Sequence, residues 1–397
     1  MKKVILMAGL GQPSTFIQRR ILAGNQQGLE LIVEVTGKIS SWLIENQIQA
    51  VSVEPNKKLK NIFLFLFALV RKPILTSKYF FYFIKVETKG IGGSVFMTGA
   101  MAPLFWMKRP HIIHVHWTYL SSKYLILARH FNAKLVTSVR GSQVTISPIF
   151  SEKAQIELKK SIECTDYFHC VSESMKAAIL SHGAKQPCFV NYNGIQIEKF
   201  STVPFSEKSS KFNIISVGLM IWRKNFIMAL QVAFELKKRG VDFEWNFYGK
   251  GVERVALIYL VQKLNLQNNV RINEPISEKE LIQLFQKSHI LVSTSVGEGL
   301  ANVVVEAMAC GCVPVVWDCE GMSEAIVNEK TGYIISFGDA NEMVEIIEHL
   351  ASNPNKTKEL SENAAERIKS HFDEAVHSKK MLDWYQSILE EKQRFNL

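Results

Sequence analysis

Short apolar runs alternate along this chain with longer stretches whose apolar positions recur every three or four residues. That is the pattern of buried parallel strands joined by crossover helices. In the first half it predicts strands at Val4–Ala8, Glu30–Val35, Ala50–Val53, Ile112–Val115, Leu135–Val139 and Tyr167–Val171, with helices such as Thr15–Gln27 and Ser121–Phe131 between them. A second series starts near Phe212, with strands at Asn213–Val217, Glu244–Tyr248, Val270–Ile272, Ile290–Ser293, Val313–Val316 and Gly332–Ile335. Helices fit between these at Phe226–Arg239, Val252–Leu264, Glu278–Lys287, Asn302–Cys310 and Asn341–Ser352. Asn193–Ser210 is polar and irregular and reads as a linker, and Ser361–Gln393 reads as one long charged helix. The expectation is an α/β chain of two doubly wound, Rossmann-like parallel-sheet domains facing across a cleft. Ligands of such sheets bind beyond the carboxyl ends of the strands, so the site belongs there. The expected division is 1–195, 196–375, and a terminal helix 376–397 that packs back on the first domain.

A length of 397 residues suits two cores better than one. With 47% apolar and 21% charged residues, the composition is that of a folded chain and excludes a largely disordered one. The opening run Val4–Ala8 is short and leads into Gly9-Leu10-Gly11 without a cleavage-like pattern, so a first strand is expected and not a signal peptide. Six cysteines lie at 164, 170, 188, 310, 312 and 319 with no C-x-x-C pair, which fits free thiols in a reducing compartment, hence a cytoplasmic chain. The net charge of +10 is local. Between Lys57 and Arg109 stand ten basic residues and a single acid, Glu87. Such a surface points to an anionic partner.

The most informative stretch runs from Ser293 to Val316. A buried strand ends at Ser293, a loop carries Glu298 through Gly299-Leu300-Ala301, a helix opens at Asn302-Val303, and Gly311 stops it. The open N–H groups and positive end of that helix suit a phosphate. Glu306, one turn in, can accept two hydrogen bonds from vicinal hydroxyls such as those of a ribose, and Glu298 can reach the hydroxyls of a sugar beyond the phosphates. Gly218-Leu219-Met220-Ile221-Trp222-Arg223-Lys224 ends another strand, and its two cations suit the charge that grows on a departing nucleoside diphosphate.

The Glu298-x7-Glu306 spacing inside E-G-x-x-N-x-x-x-E-A-M-A-x-G-x-P-V-V resembles the donor signature of the family 4 retaining glycosyltransferases of the GT-B fold. Arg223-Lys224 resembles that family's G-R-x-x-x-x-K-G element, although here the two cations are adjacent. Tyr248-Gly249-Lys250-Gly251, the strand end at Asn273, Glu324 and Thr331-Gly332-Tyr333 match further segments in order. The resemblance implies a hexose moved from a UDP- or GDP-linked donor to a hydroxyl of a lipid-linked or polysaccharide acceptor, with retention of configuration, in cell-surface polysaccharide synthesis. The nucleotide sugar is a substrate, and no cofactor is implied. No D-x-D signature occurs, so the transfer is expected to be independent of metal. An isomerase or hydrolase of nucleotide sugars on the same fold is the alternative; it would turn over donor without an acceptor.

Departures from that family lie in the first half. Gly11 stands where glycine backbone approaches the donor phosphates, and equally where a plain turn would need it. Arg140 occupies the place of a histidine near the sugar in many relatives, where it can still bind the donor through phosphate or a sugar hydroxyl, and Gln143 replaces the usual acid. His114 and His116 share one strand face beside Trp117, and read either as structural residues or as acceptor contacts. Asn193-Gly194-Ile195-Gln196 resembles an interdomain hinge with glutamine in place of aspartate. Within the basic stretch, Ile62–Leu69 and Tyr79–Ile84 are too short to span a bilayer. They read as core helices or as peripheral contacts of 57–109 with an anionic membrane, on the inner face of the cell membrane. Nucleic acid would account for the charge but not for the donor frame.

Overall fold

The structure is a computed structural model that describes residues 3–8, 17–18, 21–22, 24, 28–85 and 89–394, with side chains as far as Glu391. The chain forms two compact units. One comprises 1–171, 175–191 and 378–397, and the other 172–174 and 192–377.

The first unit is built on seven parallel strands: β1 Lys3–Ala8, β2 Leu29–Thr36, β3 Ala50–Val53, β4 Ile112–Val115, β5 Lys134–Val139, β6 Tyr167–Cys170 and β7 Cys188–Val190. Their order is β3-β2-β1-β4-β5-β6-β7, so the winding reverses between β1 and β4. The apolar side chains of β1 alternate between two cores. Val4 and Leu6 face the helices Pro73–Lys85 and Ser121–Phe131, while Ile5 and Met7 face the terminal helix Glu374–Arg394 through Met381, Leu382 and Tyr385.

The second unit has β8 Phe212–Val217, β9 Phe243–Tyr248, β10 Val270–Asn273, β11 Ile290–Ser293, β12 Val313–Trp317 and β13 Tyr333–Ile335. The order is β10-β9-β8-β11-β12-β13, again parallel throughout, with the reversal between β8 and β11. Trp245, Phe247 and Phe243 of β9 fill its core against Phe226, Leu230 and Leu236 of the helix Phe226–Lys238. Both units thus carry the doubly wound topology expected from the alternation of runs.

Three features differ from the sequence reading. The strand β7 has three half-buried residues and no alternation to announce it. Residues 193–210 are not a loose linker: Ile195 and Phe200 are buried and Lys208 donates to the Ser288 carbonyl at 2.6 Å, all within the second unit. The terminal helix is two helices, Pro354–His371 and Glu374–Arg394. The break is imposed by Ile195, whose N–H donates to the Phe372 carbonyl at 2.8 Å and whose carbonyl accepts from Glu374 N–H at 3.0 Å. Asp373 then accepts from Ala375 N–H at 2.8 Å and starts the second helix.

This crossing is tight at Gly194, where a Cβ would sit 2.3 Å from Glu374 Cα and 2.6 Å from its nitrogen. Both neighbours are backbone and cannot rotate away. Gly194→Ala is therefore expected to destabilise the chain by about 1–3 kcal/mol, read as a lower melting temperature. An unchanged melting curve would show that the backbone yields there.

Candidate functional site

In the second unit the reversal of winding places the carboxyl ends of β8 and β11 side by side, and these two ends carry the site. After β8, Gly218 to Ile221 lead into a single 3-10 turn at Trp222–Lys224, and Asn225 adopts a left-handed conformation before the helix Phe226–Lys238. The exit of β11 clamps that turn. Thr294 Oγ1 donates to the Lys224 and Asn225 carbonyls at 3.1 and 2.9 Å, and Val296 N–H donates to the Arg223 carbonyl at 2.8 Å. These bonds fix where the two cations start.

Lys224 then reaches Glu298, with Nζ 2.5 Å from Oε1. The pair is about four-fifths shielded on each side, with side chains 21% and 19% exposed. The stem of Lys224 lies against Gly218, where a Cβ would come within 3.0 Å of Cε, so a side chain there would displace the cation. Arg223 is half-buried, and its guanidinium makes no hydrogen bond or ion pair among the described residues. One cation is thus held in place and the other is available to a ligand.

Beyond Glu298 the loop is pinned where Ser172 Oγ donates to the Gly299 carbonyl at 2.7 Å. Leu300 and Ala301 are buried, and the helix Asn302–Ala309 follows with no side-chain cap and no acid in its first turn. Asn302 is exposed and Val303 half-buried. The first carbonyl-bonded amide is that of Val304, to Ala301 at 2.9 Å, so the preceding N–H groups are left for a ligand. Glu306 projects from this helix half-buried, and its side chain makes no hydrogen bond or ion pair among the described residues. Burial pushes its carboxyl up to about 7, the nearby Glu278 carboxylate adds to the rise, and Lys199 opposes it. Asn273 ends β10, two strands from the cations. Its Nδ2 lies 3.4 Å from Asn246 Oδ1 and its carbonyl accepts from Gly249 N–H. Gly249 must be glycine, because a Cβ would fall 1.8 Å from the Gly218 carbonyl oxygen.

The second unit therefore gathers Gly218, Arg223, Lys224, Glu298, Gly299 and the helix start at Asn302 around two adjacent strand ends. Thr294, Glu278 and Lys199 escaped the sequence reading, because each acts through a neighbour and carries no motif of its own. Glu324, singled out by sequence, is engaged by backbone: its carboxylate accepts from the N–H groups of Glu173 and Ser174 at 2.9 and 3.0 Å.

In the first unit, His114 and His116, expected either as structural residues or as acceptor contacts, lie in the core. His114 is fully buried, with Nδ1 2.5 Å from the Tyr385 hydroxyl and Nε2 2.8 Å from Ser138 Oγ. Both ring nitrogens are used inside the unit, so the group serves packing. His116 stacks on it with ring centroids 4.4 Å apart, its Nδ1 3.3 Å from the Ala8 carbonyl oxygen, and is as deeply buried. Neither imidazole offers a face to a sugar. Trp117 is partly exposed and carries the Arg140 guanidinium 5.9 Å from its ring centroid, so these two form a stacked pair at the ends of β4 and β5. Gln143 accepts from Thr118 Oγ1 at 3.0 Å. Gly11 lies outside the described residues.

Comparison with known proteins agrees with this geometry. Residues 199–367 match the family model of glycosyl transferases group 1, and residues 92–199 match that of Glycosyltransferase Family 4. The two adjoin and together span more than half of the chain. The chain belongs to the family 4 glycosyltransferases. Its relatives include the capsular polysaccharide biosynthesis glycosyltransferase CapM of Staphylococcus aureus, 24% identical over 253 residues, covering 59% of this chain and 65% of CapM. The N,N'-diacetylbacillosaminyl-diphospho-undecaprenol alpha-1,3-N-acetylgalactosaminyltransferase of Campylobacter jejuni is 28% identical over 244 residues, covering 58% of this chain and 63% of that one. The chain thus spans less than two thirds of the length of these two relatives. Among solved structures, HepE of Anabaena in complex with UDP aligns over 98% of this chain and all of that one, with a TM-score of 0.72 at 16% identity. The sucrose-phosphate synthase of Thermosynechococcus elongatus aligns over the same shares, with a TM-score of 0.73 at 17% identity. At such identities these likenesses establish the fold, and it is the GT-B fold.

Proposed function

We propose that this glycosyltransferase moves a hexose from a UDP- or GDP-linked donor to a hydroxyl of a lipid-linked or polysaccharide acceptor, with retention of configuration and without a metal ion. The reading rests on one observation above the others: the Lys224–Glu298 pair stands beside an uncapped helix start whose own acid, Glu306, has no partner among the described residues. The pyrophosphate lies between the N–H groups at Asn302-Val303 and the cations Arg223 and Lys224. Glu306 accepts from the ribose hydroxyls on one side, and Glu298 from the hexose hydroxyls on the other. Asn273 serves the base, Arg140 a donor phosphate or sugar hydroxyl, and Trp117 the acceptor.

As the bond to the anomeric carbon lengthens, charge accumulates on the phosphate oxygen that leaves. Two cations and a helix dipole already aimed there stabilise that charge without reorganisation, the task a divalent ion performs elsewhere. Relatives named for undecaprenol-linked and capsular substrates support an acceptor in surface polysaccharide assembly.

A thermal-shift screen of UDP- and GDP-linked hexoses tests the reading, since a donor at a hundredfold its Kd stabilises by about 2.7 kcal/mol. One nucleotide series is expected to raise the melting temperature, and NMR of the product is expected to show the donor's anomeric configuration. No shift with any nucleotide sugar would sink the proposal. Donor turnover without acceptor would replace it with the isomerase or hydrolase.

A further inference from the structure

We infer that the helices Lys58–Arg71 and Pro73–Lys85 of the first unit form a membrane-docking surface that lies in the interfacial layer of an anionic bilayer. The inference stands apart from the donor chemistry, because its residues belong to the first unit alone.

An ordinary surface helix turns its apolar stripe inward. The helix Lys58–Arg71 packs Leu64 half-buried on the core and turns a second apolar stripe outward. Leu59, Phe63, Leu66, Phe67 and Val70 recur at spacings of four, three, one and three, so they make one stripe, and all of them are exposed. Leu59, Phe63 and Val70 are 85%, 68% and 80% accessible. The face turned inward holds Asn61 and Ala68, both buried. It is pressed so closely on the helix Ile91–Met101 that a Cβ at Gly99 would fall 1.8 Å from the Asn61 carbonyl oxygen. The orientation is therefore fixed by close packing of small groups, and the stripe cannot roll into the core.

The exposed stripe continues sideways. Phe63 and Phe67 stack at 6.4 Å, and Phe67 meets the exposed Trp106 at 5.4 Å. In the next helix Ile74 and Phe81 point outward with Lys78 between them, and with Ile126 they line an open cavity of about 650 Å³. Exposed apolar surface of this extent on a folded chain marks a contact with something apolar.

Charge decides which contact. Glu54 is held by Lys57 and Lys60, and Glu30 by Lys108. Arg71, Lys72, Lys78 and Lys85 form no ion pair among the described residues, and Arg71 rides 5.9 Å above the Phe67 ring. A second copy of the chain would bring the same cations face to face. An anionic leaflet neutralises them while it takes up the aromatic stripe, the combination that holds peripheral helices in an interface. No helix among the described residues is long and apolar enough to cross a membrane. The contact therefore lies along the surface.

The test is cosedimentation of the whole protein with vesicles of phosphatidylcholine alone and with roughly 30% phosphatidylglycerol, at low and high salt. The wild type is expected to bind the anionic vesicles more strongly, and more weakly as salt rises. Phe63→Gln with Val70→Gln is expected to cut binding about tenfold or more, at an unchanged melting temperature because both side chains are exposed. Arg71→Glu with Lys78→Glu is expected to remove the preference for anionic lipid. The thermal shift with nucleotide sugar should stay as in the wild type in all of these variants. A protein that stays in the supernatant with every vesicle overturns the inference. So does equal sedimentation of wild type and variants, or a dimer in gel filtration that Phe63→Gln with Val70→Gln dissociates.

Discussion

Glu298→Ala is expected to lower the rate of sugar transfer about a hundred- to a thousandfold, the scale for removing one group aimed at the developing transition state. The structure adds a second, opposite effect. In the free protein Glu298 holds Lys224 at 2.5 Å, so the carboxylate competes with the donor phosphates for the same ammonium group. It also repels them. Without it, Lys224 is free for phosphate, and affinity for the product nucleoside diphosphate should rise severalfold while turnover collapses. Stability should change by about 1 kcal/mol at most, since the ion pair is partly solvated and Lys224 can turn to water. Titration of the diphosphate, single-turnover kinetics and a melting curve read the three quantities. Unchanged turnover with a wild-type melting curve would remove Glu298 from the reaction. Affinity that falls in parallel with rate would make it an ordering group for the loop instead.

Lys224 predicts the converse split. Lys224→Ala should weaken both the diphosphate and the transition state, because a cation on the leaving phosphate acts in both. Arg223, which has no ion-pair partner among the described residues, carries no competing anion there, so its loss should produce no gain in affinity at all.

Much of this site was legible from the chain because its parts are consecutive. A strand, a loop acid, an uncapped helix start and a second acid one turn later follow one another between Ile290 and Ala309, and local pattern rules reach that far. Likewise β8 through β13 each end within a residue or so of where the apolar runs end. Legibility failed where a distant segment decides. The strand period correctly put His114 and His116 on one face, but not that Tyr385, 271 residues later, covers that face and takes up the His114 ring nitrogen. The helix from Ser361 onward contains no glycine or proline to break it, and it breaks because Ile195 bridges to Asp373. The runs Ile62–Leu69 and Tyr79–Ile84 announced apolar helices without saying which side would be covered. A period of 3.6 marks a face and leaves open whether that face meets core or lipid.

Glu306 carries the other large effect, because in the free protein it is a liability. Its carboxyl is pushed up to about 7, chiefly by burial. A raised acid costs nothing below the unfolded value near 4.5. The cost then accumulates as pH rises through that range and is complete above 7, since the unfolded chain gives up the proton first. Glu306→Gln should therefore stabilise the protein by about 1–3 kcal/mol at pH 8, with the gain fading toward pH 4.5. Binding has the opposite sign. Ribose hydroxyls donate to the ionised carboxylate, so donor affinity in the wild type should rise about tenfold between pH 6 and 8 and then level off. A nucleotide sugar is the right probe, because its diester phosphates do not titrate in this window. In Glu306→Gln the affinity should be lower by one to two orders of magnitude at pH 8, roughly the value of two charge-assisted hydrogen bonds, and flat with pH. A variant that melts higher yet binds the donor worse would identify Glu306 as a binding group kept at the expense of stability. If the substitution left affinity and its pH profile untouched, the ribose would have to be held elsewhere and the helix Asn302–Ala309 would serve the phosphates alone.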